Sequence, residues 1–397
     1  MPSDTPTPLI VGAGPVGLTL ACELVRNGIR PRIIDRASER SQTSKARAIF
    51  PRSLEMLEAM GVVDPFLAEG QRLHGLSLHH RAEQIAQIEL TTVASPFPFA
   101  LALAQSETER LLGEELSRRG IEIERGVELT NLTQNSELVR ATLRHPDAQE
   151  EAFETPWLIG CYGAHSTTRH LLAMDVAGAQ YEESFVLADV QLETSLGRDL
   201  IHLFLSDDGI LGIFPFGQNR WRVIANIPPE TRGQTLPEPT LTDVQALLDL
   251  RAGSGERASD PVWLTRFHIS HRKVRDYRQL RVFLAGDAAH IHSPAGGQGM
   301  NTGMQDAFNL AWKLALVVRG ICPPQLLASY DEERSPVASD VLNLTDRITR
   351  MGTMRNSLAQ SVRDFLLPMV SGIDFVSECV AERLTELAGD YRTSAIV

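Results

Sequence analysis

The stretch Leu9-Ile10-Val11-Gly12-Ala13-Gly14-Pro15-Val16-Gly17 decides how this chain is to be read. Its three apolar residues form a short buried strand, glycines follow at once in G-x-G-x-x-G spacing, and LTLACELVRNG continues as a helix that Gly28 stops. Ile29 to Arg36, with Ile33-Ile34 at its centre, reads as a second buried strand, so the chain opens as a βαβ unit. Glycines at such a crossover let the backbone turn tightly and approach a pyrophosphate, whose charge meets the open N–H groups at the helix start. Gly12, Gly14 and Gly17 take those places, and Pro15 opens the helix. Asp35, 18 residues after Gly17 and followed by Arg36, is placed to accept hydrogen bonds from ribose hydroxyls. The hexapeptide alone is a weak signal. The preceding strand, the following helix and the acidic strand end together point to a dinucleotide.

Working outward, Pro51-Arg52-Ser53 starts a short helix ending before Gly61, and Ser106 to Glu109 has the spacing of a capping box ahead of Leu111, Leu112 and Leu116. Stretches near 121–129, 137–143 and 153–160 alternate as strands that return the chain to the nucleotide-binding sheet. From about Tyr181 the pattern becomes a meander of IHLFL, ILGIFPF and RWRVIANI, separated by turns at 206–209 and 217–219. Polar linkers around 228–240 and 251–261 flank a short helix, and FHISH rejoins the sheet. The last seventy or so residues read as helical, with LAQSVRDFLLPMV and DFVSECVAERLTELAG as amphipathic runs that pack onto the body.

A second glycine-rich segment, GDAAHIHSPAGGQGMN at 286–301, follows the strand Arg281 to Ala285 and precedes a helix expected from about Thr302 to Arg319. Residues this small let a ligand lie against bare backbone. Asp287, beside Gly286 at the strand end, suits a polyol, and the helix opening near Asn301 offers partial positive charge to an anionic group. His290-Ile291-His292 next to Asp287 raises the question of a metal, but no zinc-protease motif H-E-x-x-H and no G-x-S-x-G is present, and no metal site is expected.

Composition narrows the class. The 397 residues exceed what one core usually supports, and 43% hydrophobic with 22% charged content is that of an ordinary globular protein. With 38 basic against 50 acidic residues the formal charge is −12, which argues against nucleic acid as a partner. No apolar run reaches the roughly 20 residues of a membrane span, and MPSDTPTP does not begin a signal peptide, so a cytoplasmic protein is expected. Cys22, Cys161, Cys322 and Cys379 are widely spaced, as reduced structural thiols are.

Four segments, GAGPVG, SKARAIFPRSLEML at 44–57, QSETER at 105–110 and the long 286–314 run, together resemble the class A flavoprotein monooxygenases, in order and in spacing. That group contains para-hydroxybenzoate hydroxylase and the aromatic polyketide hydroxylases, and the likeness to the latter is greater. The resemblance spans nearly the whole chain. It implies an α/β fold with α+β elements: a Rossmann-type FAD-binding domain from 1–73, 100–178 and 276–330, an inserted antiparallel-sheet substrate domain from 74–99 and 179–275, and a helical C-terminal segment from 331–397. It further implies that FAD is held by the first glycine loop, that Asp287 holds the ribityl chain, and that Pro294, Gly297, Gly299, Met300 and Asn301 line the isoalloxazine. Arg47 and Gln105 are implied as additional FAD contacts. The implied reaction has NADPH or NADH reduce FAD, after which O2 gives a C4a-hydroperoxide that hydroxylates an aromatic or polyketide-like small molecule. No thioredoxin-like extension, as in some larger phenol hydroxylases of the group, is expected.

Two questions stay open at this level. His79, His80, His202, His268 and Arg222 fall in the expected substrate domain, yet none identifies itself as a catalytic base. The segment IGCYGAHSTTR at 159–169 carries Tyr162 where the family has the Asp of an Asp-Gly pair linked to FAD and NAD(P)H binding. The departure leads to an expectation that FAD binding survives while reduction by free NAD(P)H is slowed. It keeps alive a metabolite-binding or regulatory flavoprotein beside the hydroxylase, with a flavin-dependent epoxidase or Baeyer–Villiger oxidase as the chemical rivals.

Overall fold

The structure, a computed structural model, describes residues 7–41, 46–217, 219–227, 237–253, 255–291, 297–352, 380–389, 391–392 and 394–396. Strand Leu9–Val11 lies parallel between Arg32–Asp35 and Leu158–Gly160, which places the first glycine loop at the carboxyl ends of central strands. The full order of this sheet is Arg278–Gln279, Val282–Leu284, Leu158–Gly160, Leu9–Val11, Arg32–Asp35, Ile123–Arg125, parallel except for the first pair. Its central strands Leu9–Val11, Leu158–Gly160 and Val282–Leu284 are apolar throughout because helices and an added sheet cover both faces, as buried parallel sheets require. Helices Pro15–Arg26 and Gly299–Val318 pack on one face. An antiparallel sheet of Glu128–Gln134, Val139–Arg144 and Glu150–Thr155 covers the other. Of the stretch 121–160, then, only the two ends join the nucleotide-binding sheet. The middle builds a cover, since its alternating residues have just one apolar face to bury.

The second large sheet runs His290–Ile291, Arg257–Val274, Val176–Glu193, Arg220–Ile227, Gly209–Phe216, Leu200–Ser206, Gly75–His80, Glu83–Glu89. It is antiparallel apart from the parallel pairing of Leu200–Ser206 with Gly75–His80. Two 18-residue strands, Val176–Glu193 and Arg257–Val274, pair along their length and carry the chain out from the nucleotide-binding sheet and back. The second linker expected around 251–261 is therefore short, because the return strand already begins at Arg257.

Period-two alternation gives this sheet two different faces. Val186, Ala188, Val190, Phe204, Ile213, Trp221 and Val223 are sealed beneath helix Leu241–Arg251. Leu76, Leu78 and Ile201 point the other way and pack, half-buried, with Ala48 and Phe50 of the nucleotide-binding side.

Two further expectations change. The second-loop helix begins at Gly299, three residues early. Helix Gln105–Arg118 takes Ala104 as its N-cap with no side-chain cap, so Ser106 to Glu109 is not a capping box. The Gln105 backbone N–H is instead drawn to Ala46 O at 3.1 Å, which starts the helix before Ser106 could cap it. At the C-terminal end, helix Ser329–Gly352 is followed by residues outside the description, among them LAQSVRDFLLPMV, while 380–389 are partly helical. Among the described residues no helix is long and apolar enough to cross a membrane.

Candidate functional site

Gly12, at φ +113°, sits so tightly against the neighbouring strand end that a Cβ would fall 2.8 Å from the Cys161 carbonyl and 2.9 Å from Tyr162 N. A Cβ on Gly17 would lie 1.9 Å from Gly12 O, so the helix could not approach the strand. Gly14 is different: nothing lies within 4 Å of its Cβ position, which leaves an open space at the start of helix Pro15–Arg26. No side chain caps that helix, and its first N–H groups face this space. A pyrophosphate fits the opening in shape and in charge.

Asp35 closes one side of the loop. Its Oδ2 accepts from Ala13 N at 2.7 Å and its Oδ1 from Ala37 N at 2.9 Å and from the Tyr162 hydroxyl at 3.3 Å. The Arg36 guanidinium lies 4.2 Å from the centre of the Tyr162 ring. Burial, reinforced by the Asp35 carboxylate, pushes the Tyr162 phenol up to about 12, so it remains a donor at neutral pH. The family-departing residue thus belongs to the Asp35 end of the loop.

The second glycine segment meets the first. Val16 is wedged between Gly286 and Gly303, where added Cβ atoms would lie 2.7 Å from it. Arg169 donates to Ala164 O at 2.7 Å and Ala288 O at 3.0 Å, tying the turn after Tyr162 to the turn that holds Asp287. Behind them Asp306, fully buried, accepts from Gly286 N at 3.1 Å, His290 Nε2 at 2.6 Å and Arg334 Nε at 2.7 Å. Burial alone would raise this carboxyl, but Arg334 and His290 hold it below the ordinary range. His290 is therefore engaged with a carboxylate of the following helix, and among the described residues no cluster of His, Cys, Asp or Glu could hold a metal.

Near the start of helix Gly299–Val318 the expected flavin-lining residues have varied surroundings. Gly297 takes φ +69° and faces Phe50. Met300 is buried in the core. Asn301 spends its amide on the chain itself, accepting from Phe50 N and donating to Ala48 O, both at 2.9 Å, so it fixes the strand that leads to Arg47. Pro294 lies outside the described residues.

Arg47 and Gln105 part company from these loops. Gln105 donates to Glu109 Oε1 at 2.9 Å. Arg47 reaches the other sheet, 2.6 Å from Asp189 Oδ2 and 3.7 Å over the Phe216 ring. Asp189 also receives Arg222 through Nε and Nη2, each at 2.8 Å. Two guanidiniums therefore share one carboxylate. Burial and the neighbouring Arg222 lower Arg47 to about 10, which keeps it charged at neutral pH. Its Nε is buried without a partner among the described residues. Sequence reading passed over Asp189, although an acid inside the apolar run FVLADV, directly opposite Arg222, is a detectable signal.

The histidines resolve into structure. His202 Nε2 faces Gly197 O at 2.8 Å and so carries the proton, which makes its Nδ1 the acceptor for His79 Nε2 at 3.2 Å. Burial, with His202 adjacent, lowers His79 to about 4, and its ring stacks on Phe204 under the helix-covered face.

A family model described as an FAD binding domain matches residues 5–345. The chain is 40% identical over 361 residues to 6-methylpretetramide 4-monooxygenase of Streptomyces rimosus, over 90% of this chain and 64% of that protein. It is 36% identical over 343 residues to pentachlorophenol 4-monooxygenase of Sphingobium chlorophenolicum, over 85% of this chain and 63% of that protein. The chain thus spans a little under two thirds of the length of these two relatives. The structure of an anhydrotetracycline hydroxylase from Streptomyces rimosus is similar with a TM-score of 0.81 and 32% identity, over 97% of this chain and 77% of that one.

Proposed function

The chain belongs to the FAD binding domain family, and on that premise we propose that it is an FAD-dependent monooxygenase that uses NADPH or NADH and O2 to hydroxylate a planar aromatic or polyketide-like compound. One observation carries the reading: half-buried apolar side chains of the second sheet, among them Leu76, Leu78 and Ile201, pack with Ala48 and Phe50 directly after Arg47, whose guanidinium joins Arg222 on Asp189. Apolar wall and fixed charge together suit a flat ring bearing an ionisable oxygen.

FAD, when bound, supplies acceptance of electrons from the nicotinamide and activation of O2. The chain's own residues bind and orient. The open side of Gly14 admits the pyrophosphate, and Asp35 takes ribose hydroxyls while Asp287 takes those of the ribityl chain. The start of helix Gly299–Val318 would offer partial positive charge to a reduced isoalloxazine. The apolar face holds the ring and excludes water. The partly exposed Arg47 guanidinium favours a phenolate or enolate over its neutral acid, which makes the ring a better nucleophile. The division into a discontinuous FAD-binding domain (1–73, 100–178, 276–330), a substrate domain (74–99, 179–275) and a C-terminal segment is part of this proposal, as is a cytoplasmic location.

The relatives act, by name, on a pretetramide and on pentachlorophenol, and a multi-ring or phenolic substrate is the corresponding choice here. The test is a panel of such compounds scored for accelerated NADPH and NADH oxidation, with product mass and peroxide release measured together and the bound flavin identified by chromatography. Released FAD and a product heavier by one oxygen atom are expected. A protein that releases FMN, or that responds best to a plain aliphatic amine, would overturn the reading.

A further inference from the structure

We propose that Tyr162 selects for the adenosine half of the dinucleotide, by fixing Asp35 for the ribose and Arg36 as a stacking surface for the purine. The inference rests on the reading that FAD is the bound cofactor. Its basis is the path of one side chain across the end of the central strand. Cys161 N donates to Val11 O at 2.8 Å, and the Cys161–Tyr162 backbone presses on Gly12, so the position of Tyr162 over the loop is set by the sheet. From there the phenol crosses to the neighbouring strand end and donates to Asp35 Oδ1, while its ring lies under Arg36.

Each contact prepares a different part of an adenosine. An ionised carboxylate has about four acceptor sites. Three of those on Asp35 are taken by Ala13 N, Ala37 N and Tyr162, which holds the group in one orientation and leaves capacity for ribose. Arg36 is otherwise exposed, so the guanidinium face away from Tyr162 is open to a flat base. An aspartate at this position would do neither. It is too short to support Arg36 through a ring, and its charge would oppose Asp35 instead of donating to it. The tyrosine therefore substitutes a neutral bracket for an anion, and its effect falls on cofactor selection.

The test uses the apoprotein as wild type, Tyr162→Phe and Tyr162→Ala. FAD and FMN affinities are read from flavin fluorescence, and ADP affinity from competition against FAD. Loss of the hydroxyl should weaken FAD and ADP by the same factor, roughly threefold in Tyr162→Phe. Loss of the ring as well should weaken both by roughly tenfold or more in Tyr162→Ala. FMN, which lacks adenosine, should bind all three proteins alike. The proposal is overturned if FAD and ADP stay within about twofold of wild type in both variants, if either variant binds them more tightly, or if FMN weakens as much as FAD. Should Tyr162→Ala fail to fold, Tyr162→Phe decides alone, because it keeps the ring. A wild type that prefers FMN to FAD would instead remove the cofactor reading itself.

Discussion

Asp306 and Asp189 are both buried carboxylates gripped by two basic side chains, but Asp306 sits on helix Gly299–Val318 and Asp189 on strand Val176–Glu193, and their partners differ in exposure. Around Asp306 both basic partners are enclosed: Arg334 continues from the carboxylate to Tyr391 at 2.9 Å and to Thr302 O at 3.2 Å, and His290 is fully buried. At Asp189 one partner is enclosed and the other is not. Arg222 is bound through two nitrogens, whereas Arg47 arrives from the other sheet, is partly exposed, and keeps Nε without a partner among the described residues. The first arrangement holds the second glycine segment in place. The second keeps one guanidinium, that of Arg47, partly exposed. Buried charge thus serves a scaffold where every partner is enclosed and a site where one partner reaches solvent.

Breaking the closed centre should have the largest effect. Asp306→Ala leaves Arg334 buried without its carboxylate, a loss of about 3–5 kcal/mol, read by chemical denaturation and accompanied by loss of flavin. A variant that retained wild-type stability and flavin would show that Gly286 does not depend on this network. The open centre should tolerate more. Arg222→Met leaves the Arg47–Asp189 pair intact, and a stability loss of about 1–3 kcal/mol is expected. Its distinguishing result is a raised KM for the aromatic substrate with full flavin content, and an unchanged KM would place the cationic centre outside substrate recognition.

The smallest effect sharpens the comparison at a third carboxylate. Glu386 lies buried in the described C-terminal segment, accepting from Thr302 Oγ1 at 2.8 Å and from Gln305 Nε2 on the helix that carries Asp306. Burial raises its pKa from 4.5 to about 7 even though Arg334 acts to lower it. The folded state therefore holds this proton more tightly than the unfolded chain, and its stabilising contribution is lost as pH rises from about 4.5 through about 7. Glu386→Gln, which cannot ionise, should show a higher Tm than wild type at pH 8 and little difference at pH 5. Equal Tm curves across that range would mean that Glu386 does not titrate with folding.

The sequence by itself determined the βαβ opening, the second glycine segment and the meander, because each is written in local spacing. Glycine positions follow from backbone crowding next to them, as Gly12 and Gly17 show, and alternation follows from the two-residue repeat of a strand. The start of helix Gln105–Arg118 and the cover formed by 128–155 were not legible in the same way, since each depends on a partner strand distant in the chain. The partners of polar side chains were decided only by tertiary structure. Arg47 and Asp189 are separated by 142 residues, and Tyr162 and Asp35 by 127, so no local pattern could join them. Spacing along the chain can show where a ligand's phosphates or rings would lie. Which charges remain to meet them is settled when distant strands bring carboxylates and guanidiniums together and burial forces nearly every one of those groups to find a partner.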